Sequence, residues 1–165
     1  MATRNDNHLS AIVFSSEIAK SIKIGIVVAE WNSDITQKLY AAAFDTLLAY
    51  GIPENSILKI EVPGSFELVA GAQLLENTFN PSAIICLGCV IQGETRHFDF
   101  ICSAVAHGLT DLGIKYNKPI IFGVLTTNTL EQAQDRAGGN LGNKGDEAAI
   151  TALKMVLLTE SLKSM

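Results

Sequence analysis

His97 closes the run Gly93-Glu94-Thr95-Arg96-His97, where a polar turn passes into a long helical pattern. The start of a helix offers unpaired backbone N–H groups and the positive end of the dipole, so this turn suits a phosphate. The same dipole disfavours an imidazolium, which leaves His97 as a ring able to exchange a proton near neutral pH. On the residues alone it reads either as such a group or as a helix-end residue that only hydrogen-bonds. His107 follows ten residues later, about 280° around the same helix, so the two cannot share a ligand. His107 is most simply a rim residue, and His8, in a polar segment, is solvated.

Two aromatic residues stand at other strand ends. Trp31, the only tryptophan, lies in Glu30-Trp31-Asn32, and Phe66 lies in Pro63-Gly64-Ser65-Phe66-Glu67. A flat heteroaromatic ligand requires stacking faces and a few polar groups to orient it. A lone ring at a strand end is core or rim more often than a ligand platform; the coincidence of both with the His97 turn at three successive strand ends points to a ligand site. The three cysteines point to free thiols in a reducing compartment. Cys86-Leu87-Gly88-Cys89 has CxxC spacing but lies in an apolar run that reads as a strand, where positions three apart face opposite sides. No second CxxC or histidine pair completes a zinc site. Neither G-x-G-x-x-G nor the full G-x-x-x-x-G-K-[ST] spacing occurs; Gly142-Asn143-Lys144-Gly145 only resembles the latter and reads as a flexible helix–helix connector.

The elements that must carry these groups alternate. Apolar β-branched runs at 23–29, 57–62, 83–89 and 119–126 predict four strands. Helical stripes are predicted over 34–50 with Gly51 as its stop, 66–77 with Ser65 as N-cap, 97–112 closed by Gly113, 130–137, and 146–162. The segment 90–96 is expected as a loop. Residues 1–20 read as a loose arm with an edge strand near 11–14, and 21–165 as one domain. This alternation implies an α/β fold, a three-layer sandwich around a parallel sheet, with ligands bound beyond the carboxyl ends of the strands.

Composition narrows the function class. Seventeen acidic residues against twelve basic ones give a net charge of −5, the wrong sign for a general nucleic-acid binder. No apolar run reaches the ~18 residues of a membrane span, and that at 9–14 is too short for a signal peptide's core. The expectation is a cytoplasmic protein with no nucleic-acid or membrane partner.

Three ordered motifs resemble lumazine synthase, the enzyme of the penultimate step of riboflavin synthesis: Pro63-Gly64-Ser65-Phe66-Glu67, the run from Leu87 through Gln92-Gly93-Glu94-Thr95-Arg96-His97 to Asp99, and Arg136-Ala137-Gly138-Gly139 followed by Gly142-Asn143-Lys144-Gly145. The resemblance extends from about Lys23 to Leu158. It implies a flavodoxin-like sheet and the condensation of 5-amino-6-(D-ribitylamino)uracil with 3,4-dihydroxy-2-butanone 4-phosphate, with no metal and no organic cofactor. It further implies that His97 shuttles protons and that Trp31 stacks on the pyrimidine. Ser65, Phe66, Glu67, Cys89, Val90 and Ile91 would hold the ribityl chain and ring. Glu94 and Thr95 would bind the phosphate, completed by Arg136, with Phe122 walling the ring and Lys144 nearby.

Members of that family form pentamers whose sites lie between neighbouring subunits, with Phe122, Arg136 and Lys144 supplied by the adjacent chain; some close further into icosahedral shells, and the short connector resembles those. Cys89 departs from the Ser or Thr common there, which weakens any side-chain contact but not a backbone one. A non-catalytic flavin- or lumazine-binding homologue is disfavoured because His97, Arg136 and the Gly93-Glu94-Thr95 turn occur together. The archaeal type of riboflavin synthase is disfavoured because its reaction has no phosphorylated substrate.

Overall fold

The run Ile24-Gly25-Ile26-Val27-Val28-Ala29 is buried at every position, as a strand covered on both faces must be. In the computed structural model, which describes residues 16–163, it is strand β1 (Ile24–Ala29). It lies between β2 (Ile57–Val62) and β3 (Ala83–Ile91), and β4 (Ile120–Thr127) pairs with the far side of β3. All three pairings are parallel, giving the order β2-β1-β3-β4. The chain moves outward from β1 to β2 and then returns to β3, so the β1/β3 boundary is the topological switch point where such sheets open a crevice.

Alternation along the strands divides the core into two layers. Ile24, Ile26 and Val28 of β1 and Ile85, Leu87 and Cys89 of β3 pack with helices α2 (Ser33–Ala49) and α6 (Lys144–Lys163). Val27, Ile84 and Cys86 face the other way, onto α3 (Leu68–Phe79) and α4 (His97–Tyr116). Cys86 and Cys89 therefore diverge into opposite layers, as three-residue spacing on a strand requires. Burial raises both thiols, Cys89 to about 11. The fold is the expected three-layer, flavodoxin-like α/β/α sandwich.

Gly51 ends α2 as expected. It takes φ +85°, Ile52 N–H donates to Leu47 O at 3.1 Å and Gly51 N–H to Leu48 O at 2.9 Å, the paired bonds of a Schellman stop. Gly113 does not end α4. Its carbonyl accepts from Lys118 N–H at 3.1 Å, and the left-handed residue that stops the helix is Asn117, φ 49°. Ser65 is not an N-cap either: its side chain is buried, residues 64–67 form a turn, and α3 begins at Leu68 with Glu67 before it. Strand β3 runs two residues further than expected, because Val90 and Ile91 pair with Thr126 and Thr127.

The last helical pattern also divides differently. Helix α5 is only Leu130–Gln134; β5 (Ala137–Gly139) and β6 (Gly142–Asn143) then form a small antiparallel hairpin where a helix end and a flexible connector were expected. Gly138, at φ +101° where the register shifts between Ala137 and Gly139, and Gly142, at φ +76° where β6 begins, supply the hairpin's positive-φ positions. Asn143 fastens the hairpin, its Nδ2 donating to Lys38 O at 3.1 Å and its Oδ1 accepting from Gly145 N–H at 2.8 Å. Residues 16–20 of the expected arm, together with Ser21, are a helix, α1 (Ser16–Ser21). The edge strand expected at 11–14 lies outside the described residues. Among the described residues no helix is long and apolar enough to cross a membrane.

Candidate active site

The β1/β3 crevice is built from four chain segments. Where β1 ends, Glu30 N–H donates to Val62 O at 2.8 Å and Trp31 N–H to Pro63 O at 3.2 Å, so the chain continues along β2 for two residues. Asn32 then turns it in a left-handed conformation (φ 60°, ψ 45°) into α2. The Trp31 indole is left 74% exposed. After β2, Glu67 N–H bonds Gly64 O and Leu68 N–H bonds Ser65 O, each at 3.2 Å, a turn that buries Ser65 and leaves Phe66 55% exposed. Ser65 fits because Gly88 beneath it has no side chain; a Cβ there would stand 2.6 Å from Ser65 Oγ.

The end of β3 contributes Cys89, Val90 and Ile91, and the first turn of α4 contributes His97 and, one turn on, Ile101. Together these line a cleft of about 650 Å³ with Trp31, Asn32 and the Gly64–Glu67 turn. Two exposed rings, a carboxylate and an imidazole around a largely apolar hollow can hold and orient a flat, polar-edged molecule and exchange a proton with it. The Cys89 side chain belongs to the α2/α6 core, so what Cys89 itself can offer a ligand is main chain, whereas Val90 and Ile91 are half-buried and line the cleft.

Glu94 and Thr95 are exposed in the turn before α4 and stand outside the lining of this cleft. The turn is held by Gln92, whose Nε2 donates to Gly93 O at 2.8 Å, and by Thr95, whose Oγ1 accepts from His97 N–H at 3.3 Å. His107 is exposed on α4, with its Nδ1–H donating to Ser103 O at 2.7 Å; it does not line the cleft.

Phe122, Arg136 and Lys144 are elsewhere. They line a second hollow, about 630 Å³, along the outer edge of β4, together with Gln132, Glu147 and Thr151. Arg136 Nη1 donates to Gln132 O at 2.8 Å, and Lys144 Nζ pairs with Glu147 Oε1 at 2.6 Å. The hairpin positions both cations, since Lys144 N–H bonds Arg136 O at 2.9 Å. Within one chain the structure thus gathers Trp31, Ser65, Phe66, Glu67, Cys89, Val90, Ile91 and His97 in one place and Phe122, Arg136 and Lys144 in another.

Two residues that shape the first cleft escaped the sequence reading. Asn32 carried a signal, since Asn is the non-glycine residue that best tolerates a left-handed turn, but its side-chain partner is 57 residues away. Gly88 carried none, because its role depends on Ser65 packing across the strand.

Comparison with known proteins bears on what this arrangement does. A sequence model of the 6,7-dimethyl-8-ribityllumazine synthase family matches residues 21–160. A protein of Cytophaga hutchinsonii named 6,7-dimethyl-8-ribityllumazine synthase is 60% identical over 156 residues, covering 93% of this chain and 97% of its own. Proteins of the same name from Parabacteroides distasonis and Bacteroides fragilis are each 54% identical, over 158 residues (94% and 98% of the two chains) and 142 residues (86% and 99%).

Proposed function

The chain belongs to the 6,7-dimethyl-8-ribityllumazine synthase family, and from that premise we propose how its two clefts share the work of the reaction. The activity is the condensation of 5-amino-6-(D-ribitylamino)uracil with 3,4-dihydroxy-2-butanone 4-phosphate in riboflavin biosynthesis. One observation carries the assignment of the site: the exposed rings of Trp31 and Phe66 converge with His97 on a single cleft at the sheet's switch point.

In this reading the pyrimidine stacks on Trp31, and main-chain groups of Cys89, Val90 and Ile91 meet its polar edge. Ser65, Phe66 and Glu67 hold the ribityl chain. The butanone phosphate sits at the start of α4, against Glu94 and Thr95, where the helix dipole and the N–H groups of the first turn favour an anion. His97, at the head of the same helix, takes and returns the protons of imine formation, phosphate elimination and ring closure. Holding the two reactants side by side replaces a bimolecular encounter and supplies much of the rate.

Phe122, Arg136 and Lys144 complete the site in a neighbouring copy. Their hollow lies on the outer edge of β4, away from the His97 cleft of the same chain. A heterologous interface lets each chain offer its cleft to one neighbour and its β4 edge to another, and repetition closes a ring. Arg136 then adds a bidentate donor to the phosphate. The active unit in this reading is a pentamer, the short β5–β6 hairpin is compatible with closure into an icosahedral shell, and the place of action is the cytoplasm. Incubating the purified protein with both substrates, and with each alone, tests the assignment. The lumazine chromophore should appear only in the complete mixture, and its absence from a folded preparation would overturn the reading. Size exclusion of the same sample tests the ring: elution as a monomer that turns over would exclude the shared site.

A further inference from the structure

Asn32 occupies the N-cap position of α2, where a side chain of its type ordinarily accepts a backbone N–H of the first turn. It makes no such bond. Its backbone carbonyl accepts from Ile35 and Thr36, at 2.8 and 3.0 Å, while its side chain reaches across the sheet, Nδ2 donating to Cys89 O at 2.9 Å. The bond is partly buried and lines the Trp31 cleft.

The sheet explains what this bond replaces. The β1–β3 ladder ends at the pair Val28–Leu87, whereas β3 stays paired with β4 as far as Ile91–Thr127. Beyond Leu87, then, the side of β3 that faced β1 has lost its strand partner, and Asn32 supplies one at Cys89. The neighbouring residues Glu30 and Trp31 are meanwhile tied to β2, through Val62 O and Pro63 O. The ring platform is thus anchored to β2 by main chain and referred to β3 by Asn32.

We propose that Asn32 is a positioning residue of the pyrimidine cleft: its amide sets the gap between the Trp31 ring and the Cys89–Ile91 strand end into which the planar substrate slides. This rests on the reading of that cleft as the pyrimidine site. The residue type follows from two simultaneous demands. The left-handed backbone suits Gly, Asn or Asp. The partner is a carbonyl oxygen, which requires a donor; Gly has none, and Asp would set a carboxylate against the carbonyl. Among these three only Asn meets both demands.

The experiment compares wild type, Asn32→Gly, Asn32→Asp and Trp31→Ala in steady-state kinetics with each substrate varied in turn, alongside quenching of Trp31 emission by the lumazine product. Asn32→Gly keeps the backbone turn and deletes the donor; Asn32→Asp keeps the shape and reverses the polarity. Both should raise the KM for the ribitylaminouracil roughly five- to tenfold, the loss of about one hydrogen bond. The KM for the butanone phosphate should stay within about twofold, and the quenching midpoint should move with the pyrimidine KM. Folded Asn32→Gly protein with wild-type pyrimidine KM and quenching would overturn the proposal, as would an equal rise in both KM values. Trp31→Ala separates the two levels: if it leaves the pyrimidine KM unchanged, the reading of the cleft fails and the Asn32 role falls with it. If it raises that KM while Asn32→Gly does not, Asn32 alone is refuted.

Discussion

His97 and Phe122 stand in different hollows of the same chain, the first at the head of α4 beside Trp31 and the second on the outer edge of β4 beside Arg136. Phe122 is 42% exposed, a large apolar ring held at a sheet edge where a second chain can cover it. A site that uses both residues has to be assembled from two copies.

Mixing tests that directly. His97→Ala and Arg136→Ala chains, each nearly inactive alone, should regain activity when unfolded together and reassembled. With equal and random mixing, half of the positions carry an intact His97 and half of their neighbours an intact Arg136. Roughly a quarter of wild-type activity should therefore return. Mixed assemblies no more active than either parent would exclude a site shared in this way.

His97→Ala should lower kcat by roughly one to four orders of magnitude, the range left when a proton-transfer group is removed but the reactants are still held together. Thermal stability should hardly change, because His97 is exposed and its imidazole lies on the rim of the cleft. Wild-type turnover in a folded mutant would remove its role in proton transfer.

Gly88→Ala should damage stability and binding together. The added methyl would lie 2.6 Å from Ser65 Oγ, 3.0 Å from Leu68 Cδ1 and 3.3 Å from Val124 Cγ1, so the turn that carries Phe66 and Glu67 must move. The overpacking should cost about 1–3 kcal/mol, read from a denaturant midpoint, and the pyrimidine KM should rise. A variant matching wild type in both would show that the Ser65 turn yields freely.

Thr36→Val should act in the opposite direction. Thr36 on α2 is fully buried, and its Oγ1 is the one buried side-chain polar atom without a hydrogen-bond partner among the described residues. Replacing the hydroxyl by a methyl of similar shape removes an unpaired group and should stabilise by about 1 kcal/mol. The urea midpoint should rise with an unchanged m-value. A lower midpoint would mean that the hydroxyl is satisfied in solution.

Local pattern was enough for much of this protein. The four strand runs, the stripe of Ile35, Leu39, Ala42, Ala43 and Leu47 on α2, all buried but the half-buried Ala42, and the stop at Gly51 are written in residues a few positions apart, because a strand's two-residue period, a helix's 3.6-residue period and a left-handed glycine are local properties. The same locality explains the errors. Gly113 and Ser65 have the composition of a helix stop and a helix start, but Asn117 takes the left-handed turn and the packing of Ser65 over Gly88 buries the would-be cap. The Gly138–Gly145 segment reads as a flexible connector because its hairpin is fastened by Asn143 to Lys38, on a helix about a hundred residues earlier.

The chemistry divides along the same line. Residue types and their place at strand ends single out Trp31, Phe66 and His97, and the ordered motifs add the family. Only the tertiary structure could decide that the sheet order β2-β1-β3-β4 opens its crevice between Trp31 and Cys89, that Asn32 spans it, and that Phe122, Arg136 and Lys144 lie on a different edge. Those relations join residues far apart in the chain, and strand order and register, rather than any local preference, bring them together or keep them apart.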